Sequence, residues 1–378
     1  MRSVDDLRRD LPSASACVYL NAGTWGPLPT PAANAMRARI SAVEEQGRIG
    51  EAGFARFGEL IEEGRAALAS TIGAPPDQVA LTHSTTGAMN LVLGGLEWSA
   101  GDEVVITDNE HPGLIEPLLE LERRHGVVVR IAPALRVDDP TAAIAALLGP
   151  RTRLIAISHV LWASGRILPE REIAGLARAA GAQLLVDGAQ AVGAIPVDPV
   201  ALACDYYAGP AQKWLCGPNG VGFLWVAADR IGELGLASAG WLSRDTHAEG
   251  RPLHASARRY DGGSLSTVAL AGTAAAVAWR RDVVGWVDGF SENEARRSTF
   301  AAALSALPNV TLHAFGGEHA PLIAFSVEGV SAADGIAALE AGGIRARSLP
   351  EPAWMRVATG FWLTDNDCER LCSALRAL

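Results

Sequence analysis

Between residues 79 and 187 the chain alternates short runs rich in β-branched residues with longer amphipathic ones, and this rhythm restricts the fold more than any other feature. The short runs at 79–82, 103–107, 127–131, 153–158 and 183–187 are predicted strands, with helical patterns such as 86–96, 114–125 and 171–180 between them. Strands joined through helices run parallel, because a parallel return needs a crossover of about a dozen residues or more. The pattern therefore predicts an α/β fold whose sheet is covered by helices. Two further runs, 205–208 and 221–226, are close enough in sequence to form a hairpin-like pair, which makes the sheet mixed. A long helical region is expected over 31–72 with a break near 47–53. Two helices, 268–284 and 287–307, and a smaller α+β unit over 309–378 follow the sheet. No internal repeat or low-complexity linker divides the chain.

In doubly wound sheets, ligands bind beyond the carboxyl ends of the strands. Four such ends carry chemistry here. Between the two strands of the hairpin-like pair stands Gly209-Pro210-Ala211-Gln212-Lys213-Trp214-Leu215-Cys216-Gly217-Pro218. Lys213 is the single lysine of the chain, the rest of its 32 Lys and Arg residues being arginine. Arginine stays protonated at any useful pH, whereas a lysine in an apolar setting loses its proton and attacks a carbonyl to form a Schiff base. The alternative is a leftover surface lysine; Trp214, Leu215 and Cys216 beside it favour a buried or cleft-lining setting.

The strand at 79–82 runs into Thr82-His83-Ser84-Thr85-Thr86-Gly87, directly ahead of a helix. Free amides at a helix N-terminus together with hydroxyls make a cradle for a phosphate, and the same run also serves as an ordinary N-cap. The strand at 103–107 is followed by Asp108-Asn109-Glu110-His111-Pro112, which brings an imidazole to the same edge, although a lone histidine is more often simply packed or solvated. The strand at 183–187 ends in Asp187-Gly188-Ala189-Gln190, a buried acid whose charge persists only beside a cationic partner.

Bulk properties narrow the field. A formal net charge of −10 without a basic stripe argues against nucleic acid as a partner. The apolar runs are too short to span a bilayer, and residues 1–10 lack a signal-peptide pattern, so no membrane role is expected. Five cysteines without CxxC spacing fit a reducing cytoplasm better than a disulfide framework. Cys368 and Cys372, four apart on a predicted helix, read as core residues. With 49% hydrophobic residues over 378 positions, the chain is expected to form one large domain and a smaller one.

A phosphate cradle, a buried carboxylate suited to a positive ring, an imidazole and a unique lysine are together the parts needed to hold pyridoxal phosphate. On these residues the sequence resembles the class V aminotransferases of fold type I, which include cysteine desulfurases and proteins like isopenicillin N epimerase. The resemblance covers nearly the whole chain. It implies a large domain, residues 21–284, with a mixed, mostly parallel seven-stranded sheet, and a smaller C-terminal α+β domain, residues 285–378. An N-terminal segment, residues 1–20, is expected to pack with the small domain. By the match, Ser84, Thr85 and Thr86 hold the phosphate, His111 stacks on the ring, Asp187 meets the ring nitrogen, Gln190 contacts the ring hydroxyl and Lys213 carries the Schiff base. Asn21, in Asn21-Ala22-Gly23-Thr24, is similar to the family's N-terminal active-site segment. Arg356 takes the substrate's α-carboxylate, with a surface ion pair as the plainer alternative and Arg345 or Arg347 as the arginine that would serve in its place. Tyr260-Asp261-Gly262-Gly263-Ser264 is similar to the segment through which a partner subunit reaches the phosphate, so the resemblance implies a homodimer with composite sites.

The chain also departs from its relatives. Pro210 and Gln212 stand where many of them place a serine and a histidine, and Leu161 stands where desulfurases often keep an asparagine. Residues 345–356, where desulfurases carry the cysteine that accepts sulfur, contain none. Cys216, near Lys213, reads as packing. The expected reaction is β-elimination from a cysteine-like amino acid without a persulfide relay. Alternatives are transamination, which Gln212 favours, epimerisation, and a non-catalytic protein that keeps the fold. Trp25, Trp162 and Trp241 are candidates for an apolar wall around the substrate. A nicotinamide site is not supported, because Gly217-Pro218-Asn219-Gly220-Val221-Gly222 has the wrong spacing and leads into a strand.

Overall fold

The computed structural model describes residues 2–246 and 248–378. Its strands, in chain order, are β1 (Val18–Tyr19), β2 (Val79–Thr82), β3 (Glu103–Thr107), β4 (Val128–Ala132), β5 (Thr152–Ser158), β6 (Gln183–Asp187), β7 (Tyr206–Pro210) and β8 (Gly222–Val226). They continue with β9 (Val310–Leu312), β10 (Leu322–Val327), β11 (Ile344–Arg345), β12 (Arg347–Ser348) and β13 (Met355–Ala358). Among the described residues, seven of them form one sheet in the order β2-β8-β7-β6-β5-β3-β4. The neighbours from β7 to β4 are all parallel, while β8 runs antiparallel to both β2 and β7, so the sheet is mixed and mostly parallel as expected.

The parallel strands are near-continuous apolar runs because helices cover both faces. Leu184, Leu185 and Val186 of β6 have no exposed surface. Edge strand β4 is different: Val128 and Ile131 remain exposed, at 38% and 60%. The helices fit their faces. Helix Glu170–Ala180 turns Ile173, Ala174 and Ala177 inward, at the spacing of one helical stripe. It ends at Gly181, whose φ of +71° suits glycine.

Chain order places β4 outside β3 and returns β5 to its other side, so the winding reverses between β3 and β5. At such a reversal the crossovers diverge and leave a crevice along the carboxyl edge. The ends of β2, β3, β5, β6 and β7 all open there.

A second sheet, β12-β13-β10-β9, is antiparallel throughout. β1 pairs in parallel with β11, which ties the N-terminal segment to this part of the chain. Leu7 and Leu11, fully buried, join Phe325, Leu339, Val357 and Leu371 in one core. Each such leucine contributes on the order of 1.5–3 kcal/mol of burial. The expected single helix over 268–284 differs in detail. The α-helix Thr267–Trp279 gives way to one wider π turn, Arg280–Val284, and stops at Gly285 with φ +80°. Arg280, fully buried, donates to the Gly193 carbonyl at 3.1 Å and lies over the Phe361 ring at 4.3 Å.

Candidate active site

A cleft at the carboxyl edge is lined by Thr24, Trp25, Ser84, Thr85, Thr86, His111, Trp162, Asp187, Gln190, Gln212, Lys213, Arg347 and Arg356, with Gly23, Gly113 and Ala189 between them. Eight of the ten residues singled out in the sequence for the site are in this lining; Asn21 and Ser264 are not.

Lys213 sits in a tight loop after β7. The loop is closed by hydrogen bonds from Cys216 N to Lys213 O at 3.0 Å and from Gly217 N to Ala211 O at 2.9 Å. Gly26 packs directly on it, and a Cβ there would stand 2.0 Å from the Lys213 carbonyl oxygen. Burial brings the Lys213 pKa down to about 8; Asp187 opposes the shift, and Arg356 and Arg347 add to it.

Asp187 ends β6 with 6% of its surface exposed. Its Oδ1 accepts the Ala189 N–H at 2.8 Å. Burial raises its pKa, and Lys213 is the cation that opposes this. Among the described residues no cation lies within ion-pair distance of Asp187, so this buried carboxylate faces the cleft with the more distant Lys213 to offset its charge in part. A protonated pyridine nitrogen is the group that fits it.

Two helix N-termini converge on the other side. Ser84 caps helix Thr85–Gly95, its Oγ accepting the Gly87 N–H at 3.1 Å. The ordinary N-cap role is therefore real, and the Ser84 hydroxyl keeps its own hydrogen for a ligand. Thr85 and Thr86 form the first turn beside it. His111 caps helix Pro112–His125 in the same manner, with Nδ1 accepting the Gly113 N–H at 3.0 Å. Gly113 allows the close approach, since a Cβ there would lie 2.5 Å from Thr86 Oγ1. With Nδ1 committed as acceptor, the neutral imidazole carries its proton on Nε2. Burial lowers the His111 pKa to about 4, with Lys213, Arg347 and Arg356 adding to the shift, so the ring is uncharged at neutral pH. It meets Trp162 edge-on at 5.6 Å.

Gln190 is more constrained than its sequence suggests. Its Nε2 donates to Gly23 O at 2.8 Å and its Oε1 accepts from Trp214 Nε1 at 3.1 Å, which leaves one Nε2 hydrogen for a ring hydroxyl. Asn21 works behind the lining, its Oδ1 accepting from Thr24 Oγ1 at 2.8 Å and fixing the turn that brings Thr24 and Trp25 to the cleft. Ser264 is exposed and stands apart from the cleft of its own chain. Its neighbours Gly262 and Gly263 line a separate hollow with Thr82, His83 and Asn90.

Arg356, 2% exposed, donates from Nη1 to Trp162 O at 2.6 Å and has no acidic partner among the described residues. Burial, helped by Arg347, lowers its pKa to about 9. Arg347, one of the two alternatives to Arg356, lines the cleft as well. It pairs in register with Arg356 across β12 and β13, which puts both guanidinium groups on one face, and it donates from Nη1 to Thr24 Oγ1 at 2.9 Å. The signal was the Arg-Ala-Arg alternation at 345–347, but only the register says which arginine turns inward. Arg345 is exposed and donates to Glu340 O. Trp241, a third candidate for the wall, stacks on Phe57 at 5.6 Å instead and lies outside the lining. Leu161 is fully buried and also outside it. Glu110, next to His111 in the chain, is buried and outside the lining.

The Aminotransferase class-V family model matches residues 21–354. The chain belongs to this family. Relatives include an isopenicillin N epimerase from Streptomyces clavuligerus, 37% identical over 242 residues, which covers 62% of this chain and 60% of that protein. The chain thus spans about three fifths of that relative, and 58% of a second isopenicillin N epimerase from Amycolatopsis lactamdurans. A probable cysteine desulfurase of Pseudomonas aeruginosa is 31% identical over 361 residues, 91% of this chain and 86% of its own. Among solved structures, the cystine C–S lyase C-DES, in complex with its product cysteine persulfide, superposes with a TM-score of 0.92 at 31% identity, covering 97% of this chain and 99% of its own. A mutant of that lyase with glycine covalently linked to its pyridoxal phosphate gives 0.93 at 31% identity, with 98% of each chain covered. Class V aminotransferases are pyridoxal-phosphate enzymes of fold type I, and pyridoxal phosphate is the cofactor of this chain. Among the described residues, no helix is long and apolar enough to cross a membrane and no cluster of His, Cys, Asp and Glu is suited to a metal ion.

Proposed function

We propose that the protein is a β-lyase that cleaves the carbon–sulfur bond of a cysteine-type amino acid without passing sulfur through a thiol of its own. The observation that carries this reading is the lining of the cleft, which gathers Lys213, Asp187, His111 and Arg356 and has no cysteine among its described residues. Cys216, the cysteine nearest in sequence to Lys213, is fully buried, and burial pushes its pKa up to about 12. A thiol held so far from ionisation is a poor sulfur acceptor. The likeness to a cystine C–S lyase over nearly the whole chain supports the same reading.

Ser84, Thr85, Thr86 and the helix amides beside them would hold the cofactor's phosphate, Asp187 its ring nitrogen, Gln190 its ring hydroxyl and Lys213 its aldehyde. When bound, the cofactor supplies a Schiff-base carbon and a conjugated ring that withdraws electrons from the substrate's Cα. The remaining work falls to side chains of this chain. Arg356 holds the α-carboxylate through the donors that Trp162 O leaves free, with Arg347 beside it. Lys213, whose lowered pKa leaves part of it as free amine near neutrality and most of it above about pH 8, takes the Cα proton. His111 offers its Nε2 hydrogen to the departing sulfur. Because the ring is uncharged at neutral pH, it acts as a hydrogen-bond donor, and the ammonium formed at Lys213 is the acid that completes the thiol. Trp162 and Trp25 form the apolar wall. The reading includes a homodimer in which Ser264 reaches the phosphate site of the partner subunit; a cofactor-loaded monomer in sedimentation contradicts that part.

Incubation with S-substituted cysteines should release one pyruvate, one ammonia and one thiol per substrate, with no requirement for a keto acid. Epimerisation is the second reading, supported by 37% identity to an isopenicillin N epimerase. Solvent deuterium at Cα with inversion and without pyruvate would select it. Accumulation of the pyridoxamine form, discharged only by a keto acid, would select transamination.

A further inference from the structure

Glu110 is 7% exposed, in the loop that leads from β3 to His111. Its Oε1 accepts the Ser158 N–H at 3.1 Å and the Thr107 hydroxyl, and its Oε2 accepts the Ser158 hydroxyl at 2.6 Å. Ser158 closes β5 and pairs in parallel register with Asp187 at the close of β6, so their side chains share one face of the sheet. The structure thus holds a second buried carboxylate on the residue that neighbours Asp187 in the sheet, near enough for the two charges to act on each other. Among the described residues no cation pairs with it. Burial pushes the Glu110 pKa up to about 7, while the hydrogen bonds from Ser158 and Thr107 oppose the shift and the charge of Asp187 adds to it. Around it, Thr107 on β3 and Ser158 on β5 present neutral hydroxyls, Asp187 on β6 is the charged group that acts on it, and His111 follows in its own loop.

We propose that Glu110 is a positioning and tuning residue that governs how firmly the ring nitrogen of bound pyridoxal phosphate holds its proton. With it, Glu110 sets the pH range over which the cofactor acts as an electron sink. The inference rests on the reading that Asp187 meets that nitrogen. An ionised Glu110 adds a second negative charge on the protein side of Asp187, and a like charge in a buried wall raises the proton affinity of the acid and the ring nitrogen together. A protonated Glu110 withdraws that support. No neighbouring cation cancels the change, so one proton taken up behind the cleft is felt inside it. A purely structural Glu110 would act through its hydrogen bonds alone, and glutamine keeps those contacts with the one to Ser158 Oγ reversed in direction. Its carbonyl accepts from Ser158 N and Thr107, and its amide donates to Ser158 Oγ.

The test is a spectrophotometric pH titration of the holoenzyme's visible band, together with the dissociation constant for pyridoxal phosphate. Wild type should show an inflection near neutrality. In Glu110→Gln that inflection should vanish and the cofactor should bind severalfold more weakly above it. In Ser158→Ala, which removes one donor from the carboxylate, the inflection should move to higher pH. A folded Glu110→Gln that keeps the wild-type inflection overturns the proposal. If that variant does not fold, an unmoved inflection in Ser158→Ala overturns it instead. Asp187→Asn separates the premise from the inference: unchanged cofactor affinity and spectrum there would remove the ring-nitrogen reading, whatever Glu110 does.

Discussion

Arg65 and Arg356 are equally buried, each with 2% of its surface exposed, yet their surroundings are opposite. Arg65, on helix Gly50–Ser70, meets Asp261 at 2.6 Å, Glu62 at 3.0 Å and the Val79 carbonyl at 2.8 Å. Burial works against its charge, but Asp261 and Glu62 outweigh it and its pKa rises. Arg356 has one carbonyl, no acid among the described residues and a second arginine beside it, and its pKa falls to about 9. A buried charge that is fully paired serves the fold, here by pinning the start of the Gly262-Gly263-Ser264 segment to β2 through Asp261 and Leu81. A buried charge left without a counter-ion costs stability, and at a cleft it marks a place that a ligand can complete. Asp187 and Lys213 stand between the two, each acting on the other's charge without forming an ion pair.

The contrast breaks first at Lys213. Lys213→Ala should lower turnover by at least about a thousandfold, because it removes the group that both holds the cofactor and moves the proton. Absorbance of the purified protein and a turnover assay check it, and a fully active variant would remove the site.

The next effect separates the two arginines. Arg65→Ala leaves Asp261 buried and unpaired and should cost about 3–5 kcal/mol in denaturant unfolding of the cofactor-free protein. Arg356→Met should leave stability unchanged or raise it while abolishing binding of the α-carboxylate, and Arg356→Lys should keep the cofactor and lose substrate affinity. If Arg356→Met destabilised the fold as much as Arg65→Ala, the distinction between them would fail.

A smaller effect concerns His159, buried away from the cleft lining, with Nδ1 2.8 Å from the Tyr207 hydroxyl. Burial lowers its pKa to about 4. The fold therefore favours the neutral ring. Its contribution to stability is complete above the unfolded pKa of about 6.5 and is lost as pH falls toward the folded value. His159→Gln should reduce proton uptake on unfolding by about one proton between those limits, read from the pH dependence of unfolding relative to wild type. Smallest of all should be Cys216→Ala, which leaves carbon–sulfur cleavage unchanged; a large loss there would reinstate a thiol in the reaction.

What the sequence revealed follows the range of the forces involved. Strand–helix alternation is local, so the strands of the large sheet could be placed within a residue or two. Lys213 stood out because no other residue of its type exists in the chain. Ser84 and His111 were legible as residues ahead of helices, since capping is a matter of a few positions. The choice among Arg345, Arg347 and Arg356 depends on pairing between β12 and β13, which no local pattern encodes. The role of Glu110 depends on Ser158, 48 residues away. The bond from the Gln190 amide to the Gly23 carbonyl spans 167 residues, so no local pattern encodes it. The split of the helix near Arg280 likewise reflects tertiary partners, Gly193 and Phe361, rather than propensity.

The central claim is that the buried lysine of the cleft, Lys213, carries the cofactor. Borohydride reduction of the holoenzyme, followed by proteolysis and mass spectrometry, tests it most directly. The account predicts one reduced phosphopyridoxyl group per chain, on the peptide that contains Lys213, with loss of the visible band. A reduced protein that releases its cofactor on denaturation, or bears the label anywhere else, would contradict it.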